Sequence, residues 1–217
     1  MNTYPLISCI CIANGKPAFF DKAFECFEKQ NYPNKEIVIA YYKKDYHTQS
    51  LIDRFINSND FKIIGLPFCS KDSSDDIMKQ AILKSTGFYI CNWDEDSWHH
   101  ESRLSYQYNS MQIVGERFQA SILSRIWIHD YHNSQSYLST SEWWPETLLC
   151  RKEVLLANSN GQNGIANSIA LIHSLSVKKI LYPIDKMPSL YIKAYHNEDI
   201  ASTLDEHVNQ KILEFLS

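Results

Sequence analysis

Residues 89–103 read YICNWDEDSWHHESR: an apolar run, three consecutive carboxylates at Asp94, Glu95 and Asp96, then two histidines and an arginine. Adjacent like charges repel, so a fold that gathers them must leave them in water or bring a cation to them. Two readings follow, a solvated turn after a strand or a site for a hard divalent ion. Asp-x-Asp at a strand end suits Mn²⁺ or Mg²⁺, which take one or two carboxylates and leave the other positions to water and substrate phosphates. An ion held this way neutralises a departing diphosphate, the problem posed when a sugar leaves a nucleotide. An EF-hand is excluded, because the position that needs glycine holds His99 and the one that needs a bidentate glutamate holds Ser105. His99 and His100 read as helix-start residues, and His129 and His132 of HDYH as hydrogen-bonded or surface histidines.

The elements that must position these carboxylates alternate. LISCICIA (6–13) has the character of a buried strand and stops at Asn14-Gly15. Pro17 opens a helix whose Phe20, Ala23, Phe24 and Phe27 share one face until NYPN (31–34) ends it. EIVIAYY (36–42) is a strand, TQSLIDRFINS (48–58) a helix and FKIIGL (61–66) a strand. SSDDIMKQAILKST (73–86) reads as a capped helix with Gly87 as its C-terminal glycine, and FYICNW (88–93) as the fourth strand. Such alternation indicates an α/β fold with a mostly parallel sheet covered on both faces. Ligands of these sheets bind beyond the carboxyl ends of the strands, which is where the acidic cluster falls.

The second half is less regular. A helix is expected over 101–113, short strands through 116–131, a loop with paired tryptophans at 136–146, and a strand at TLLC. A helix at 164–175, a strand at 177–184, the segment LYIKAYHNED (190–199) and a terminal amphipathic helix in LDEHVNQKILEFL complete the chain.

At 217 residues the chain reads as a single domain, with a nucleotide-binding half over about 1–98 and an acceptor half over about 99–217. A net charge of −4 with interspersed signs gives no footprint for nucleic acid. No leader-like N-terminus or membrane-length apolar run is present, so the expected location is the cytoplasm, with peripheral association at the inner membrane face allowed. The six cysteines form no CxxC pair and read as buried thiols. Neither GxGxxG, a P-loop nor GxSxG occurs.

PLISCICIANGKPAFFDKAFECFEKQNYPNKEIVIA resembles the opening of family 2 glycosyltransferases of the GT-A fold, a Rossmann-like nucleotide-diphospho-sugar transferase architecture. STGFYICNWDEDSWHHESRL is similar to that family's metal-binding segment, and LYIKAYHNED to its late segment, whose histidine in some members reaches the metal. The likeness runs over residues 5–198. It implies a metal-dependent hexosyl- or hexosaminyl-transferase that moves a sugar from a nucleotide-sugar donor, a UDP-sugar by expectation, to a glycan, lipid-linked or peptide acceptor. Ala13 and Asn14 would border the nucleotide, Asp94 would serve both nucleotide and metal, and Asp96 and His196 would complete the metal set.

Departures from the family pattern shape the remaining expectations. Where the family carries Asp-Asp-Gly-Ser after the second strand, this chain has Tyr41-Tyr42-Lys43-Lys44, so Tyr41 is the candidate base-stacking residue. Lys79 takes the place of a phosphate-facing residue on the helix before the metal strand. The family's general-base position falls at Asn167-Ser168, neither of which serves near neutral pH. Glu146 and Glu142 are the candidate substitutes, and Trp143 and Trp144 offer apolar faces for an acceptor sugar. A noncatalytic nucleotide-sugar-binding subunit and a metal-dependent phosphohydrolase are the alternatives.

Overall fold

The structure, a computed structural model, describes residues 4–14, 17–56, 61–131, 134–158 and 168–195. Strand β1 (Ile7–Ala13) pairs in parallel with β2 (Lys35–Tyr42) on one side and β4 (Tyr89–Asn92) on the other, and β2 pairs with β3 (Lys62–Phe68). Beyond β4 lie β9 (Leu149–Arg151), β6 (Ala120–Leu123) and β10 (Leu181–Ile184), giving the seven-stranded order β10-β6-β9-β4-β1-β2-β3 in which β9 alone runs antiparallel. A smaller sheet has the order β5-β11-β7-β8, from β5 (Ser97–His99), β7 (Trp127–Asp130), β8 (Gln135–Leu138) and β11 (Tyr191–Tyr195).

Strand parity sorts the core into two layers, because successive side chains point to opposite faces. Cys9, Cys11, Ile37, Ile39 and Cys91 pack with α1 (Pro17–Glu28), α2 (Tyr46–Phe55) and α4 (Arg103–Val114). Ile10, Val38 and Ile90 pack with α3 (Ser74–Lys84), α5 (Lys152–Asn158) and α6 (Ser168–Val177). The phenylalanine face of α1 is buried as its spacing requires, with Phe20, Phe24 and Phe27 at 3% exposure or less, each worth about 1.5–3 kcal/mol of burial. All six cysteines are free, and five are buried.

Several expectations change. Gly87 is not the helix cap: Ser85 ends α3 in an extended conformation. Glycine is needed at 87 because a Cβ there would come within 2.8 Å of Ser8 N and 2.9 Å of Leu6 O, where β4 enters beside β1. β8 occupies the first part of the expected loop at 136–146, and α5 follows β9 without a break. Its seven residues are too few for a periodic signal, and Leu155 fixes it by packing on the second core layer. His99 lies on β5 rather than at a helix start. The terminal helix expected in LDEHVNQKILEFL lies outside the described residues.

The β1–β2–β4 junction is held by a buried charge. Glu36 is fully buried. Burial disfavours its ionised form, but Ser8 Oγ (2.6 Å), Thr86 N (2.5 Å) and Thr86 Oγ1 (2.6 Å) donate to it and hold its carboxyl below the usual range. A depressed folded pKa stabilises above the unfolded value of about 4.3, and that stability is lost as pH falls through the folded value. Glu36→Gln is therefore expected to cost about 2 kcal/mol at pH 7 and progressively less below pH ~4, measured by urea unfolding at both pH values. An equal cost at pH 7 and pH ~3 would contradict the assignment.

Candidate functional site

Main-chain bonds deliver the acidic segment beyond the carboxyl ends of β1 and β4. Trp93 extends β4: its amide donates to Ile10 O (2.9 Å) and its indole Nε1 to Ala23 O of α1 (3.0 Å). From Trp93 to His100 exposure alternates, with Trp93, Glu95, Ser97 and His99 buried and Asp94, Asp96, Trp98 and His100 partly exposed. Glu95 is 5% exposed, and one of its oxygens accepts from the amide of Asn14 at 2.9 Å, tying the end of β1 to the acidic segment.

Asp94 is the most constrained of the three. Tyr191 Oη donates to its Oδ2 at 2.5 Å and lies 2.8 Å from Ser97 Oγ. Burial pushes the Asp94 carboxyl up to about 6, Glu146 and Asp96 add to the rise, and the Tyr191 bond and Arg103 oppose it. His99 Nε2 lies 3.0 Å from the Asp94 carbonyl, and burial with the nearby Arg103 charge keeps the imidazole neutral.

Asp94, Glu95, Asp96 and Glu146 line one cavity of about 450 Å³, together with Asn14, Asn92 and Met78. Ile169 and Leu171 bring the opening of α6 to the same cavity. Among the described residues, no lysine or arginine lines it. Glu146 sits in the 3-10 turn Pro145–Thr147 just before β9; Lys193 of β11 holds its Oε1, while Oε2 is buried without a hydrogen-bond partner. A larger cavity, about 650 Å³, lies between α1 and the small sheet; it shares Glu95 and Asp96 but reaches neither Asp94 nor Glu146.

The structure therefore gathers Asn14, Asp94, Asp96 and Glu146 from the expected residues and leaves others aside. Ala13 is buried at the end of β1, between the lining residues Ile12 and Asn14 but not itself in the lining. Tyr41 cannot present a ring: it is 4% exposed and its hydroxyl is bonded to Gln49, while Tyr42 is the exposed neighbour, packed on Phe68 at 4.4 Å. The strand's parity decides this, and a Tyr-Tyr pair in sequence does not reveal which ring faces out. Lys79 is exposed, and Met78 lines the cavity in its place. Glu142 and Trp143 are exposed outside the lining, and Trp144 packs on a separate core cluster with Lys193 Nζ 5.5 Å above its ring. His196 and Asn167 lie outside the described residues.

Sequence pattern alone does not single out Glu95, Tyr191, Lys193 or Arg103. Glu95 reads in sequence as the spacer of Asp-x-Asp. Tyr191 and Lys193 carried a usable signal, since residues two apart on a strand share a face.

The donor set fits a divalent ion of the kind bound partly by protein and partly by substrate. Among the described residues no three His, Cys, Asp or Glu side chains form a self-sufficient metal group. Two crowded carboxylates with an unpaired Glu146 oxygen nearby leave coordination to be completed by water or phosphate.

No sequence-family profile matches the chain, and no curated protein matches it in sequence. Solved structures do match in three dimensions. S. aureus TarS 1–349 superposes with a TM-score of 0.63 at 10% identity, covering 87% of this chain and 60% of that one. The mannosyltransferase PcManGT from Pyrobaculum calidifontis, solved with GDP-Man and Mn²⁺, gives 0.62 at 12% identity, over 93% of this chain and 59% of that one. This chain has the GT-A fold. Glucosyl-3-phosphoglycerate synthase from Mycobacterium tuberculosis, solved with Mn²⁺, UDP and glucosyl-3-phosphoglycerate, shares the same GT-A arrangement at 0.58 and 11% identity, over 90% and 73%. The chain spans about 60% of the length of the first two. Among the described residues, no helix is long and apolar enough to cross a membrane.

Proposed function

We propose that the chain is a metal-dependent family 2 glycosyltransferase that moves a hexosyl or hexosaminyl group from a nucleoside diphosphate donor, a UDP-sugar by expectation, to an acceptor hydroxyl. One observation carries the reading: four carboxylates converge on a cavity beyond the strand ends, with no lysine or arginine lining it among the described residues. A diphosphate enters such a cavity only with a cation between the charges.

Asp94 and Asp96 would hold Mn²⁺ or Mg²⁺, which when bound neutralises charge on the leaving diphosphate. Tyr191 fixes the orientation of Asp94. Asn14 and Met78 border the donor, and Ile169 and Leu171 of α6 line the same cavity. Glu146 accepts the proton of the acceptor hydroxyl as its oxygen bonds to the anomeric carbon and the sugar–phosphate bond breaks. It is preferred over Glu142 because it lines the cavity, and the opening of α6 contributes no carboxylate over 168–177. His196 is retained as a further candidate ligand, and a glycan, lipid-linked or peptide acceptor remains the expected class. In polysaccharide or glycoconjugate synthesis such an enzyme would act in the cytoplasm.

The test is a panel of UDP- and GDP-sugars with Mn²⁺, read as protection against thermal unfolding. A donor at 100 times its Kd is expected to add about 2.7 kcal/mol of stability. No protection by any nucleotide would reject the reading. Because Lys193 already occupies one oxygen of Glu146, a noncatalytic nucleotide-sugar-binding subunit is the second reading. Protection without transfer to any acceptor would favour it.

A further inference from the structure

Arg103, the first residue of α4, is fully buried beneath the acidic site. Its Nη2 donates to two main-chain carbonyls, Asn92 O at 2.9 Å and Glu146 O at 3.2 Å. Nη1 donates to His99 Nδ1. With Nδ1 accepting, the neutral imidazole carries its proton on Nε2, which donates to the Asp94 carbonyl. Nε donates to Gln107 Oε1 (3.2 Å), and Gln107 Nε2 donates in turn to Thr147 O (2.8 Å). The guanidinium lies 5.3 Å from the ring centres of both Trp93 and Tyr191.

One buried fork thus reaches the chain on both sides of the cavity: residues 92 and 94, directly and through His99, and residues 146 and 147, directly and through Gln107. Its hydrogen bonds go to carbonyls, an amide oxygen and an imidazole, none to a carboxylate. An arginine whose sole task was to offset the acidic charge would bond to the carboxylates themselves. A planar, five-donor cation spread over main-chain acceptors fixes relative position.

Resting on the glycosyl-transfer reading above, we propose that Arg103 is a positioning residue that holds the Asp94–Asp96 segment and the Glu146 turn in one spatial register, so that metal ligands and base face the same cavity. Lysine keeps the charge but has three donors on one atom, and cannot span these acceptors.

The experiment measures UDP affinity in Mn²⁺ by calorimetry for wild type, Arg103→Lys and Glu36→Gln. Arg103→Lys is expected to weaken Mn²⁺-dependent UDP binding about tenfold, the effect typical of outer-shell partners. Glu36→Gln removes a comparably buried charge remote from the cavity; it lowers the unfolding temperature and leaves UDP affinity unchanged. If Arg103→Lys does not fold, Gln107→Met keeps the guanidinium but removes the acceptor of its Nε and frees the Thr147 carbonyl, with an expected loss of about threefold. A folded Arg103→Lys, or failing that a folded Gln107→Met, with wild-type affinity overturns the proposal alone. Equal losses in Arg103→Lys and Glu36→Gln would reduce Arg103 to general stability and overturn it as well. Absence of UDP binding by the wild type would instead reject the underlying functional reading, and this inference with it.

Discussion

Asp96→Asn is expected to weaken UDP binding in the presence of Mn²⁺ by on the order of 100-fold, with little change in unfolding temperature. Asparagine has the shape of aspartate but lacks the charge, and a hard divalent ion held by only two protein carboxylates loses half of its fixed anionic ligands. Both are partly exposed, but Asp94 is bonded to Tyr191 and a change there disturbs the small sheet, so Asp96 is the better probe of the pair. The measurement is isothermal calorimetry at fixed Mn²⁺, with circular dichroism to confirm folding. A folded Asp96→Asn variant that binds UDP as tightly as wild type would remove Asp96 from the metal set.

Glu146→Gln is expected to lower turnover by about 10²-fold or more while donor affinity stays within about twofold, the signature of a proton acceptor rather than a binding group. Glutamine leaves an oxygen for Lys193, so the turn and its contact with β11 persist. Glu142→Gln serves as the comparison and is expected to be silent, since Glu142 is exposed and away from the lining. The readout is kcat and KM for the donor identified by the nucleotide-sugar panel. Equal turnover in wild type and Glu146→Gln would assign the base elsewhere.

The first ninety residues are legible because each strand is a short, largely apolar run and each helix carries an apolar face at helical spacing. The phenylalanines of α1 and the capping Ser73 of α3 both lie where their patterns place them. The placement of the acidic segment at a strand end is legible for the same reason: it follows a clear buried strand. What failed depended on tertiary context. Gly87 looked like a cap until the approach of Ser8 gave it a steric purpose. Tyr41 and Tyr42 differ only in which face of β2 they occupy, and Met78 and Lys79 only in which side of α3 meets the cavity. Arg103 reads in sequence as an ordinary helix-start residue. Its importance comes from four acceptors spread over residues 92 to 146, a convergence that sequence spacing does not encode.

The central claim is that a cation must stand between these carboxylates and a diphosphate. Calorimetry of UDP, and of GDP in parallel, into the full chain with Mn²⁺ and then with EDTA tests it most directly. Micromolar binding is expected with Mn²⁺, falling by at least about 100-fold with EDTA as the unrelieved charge of Asp94 and Asp96 meets the phosphates. Equal affinity under the two conditions would contradict the account.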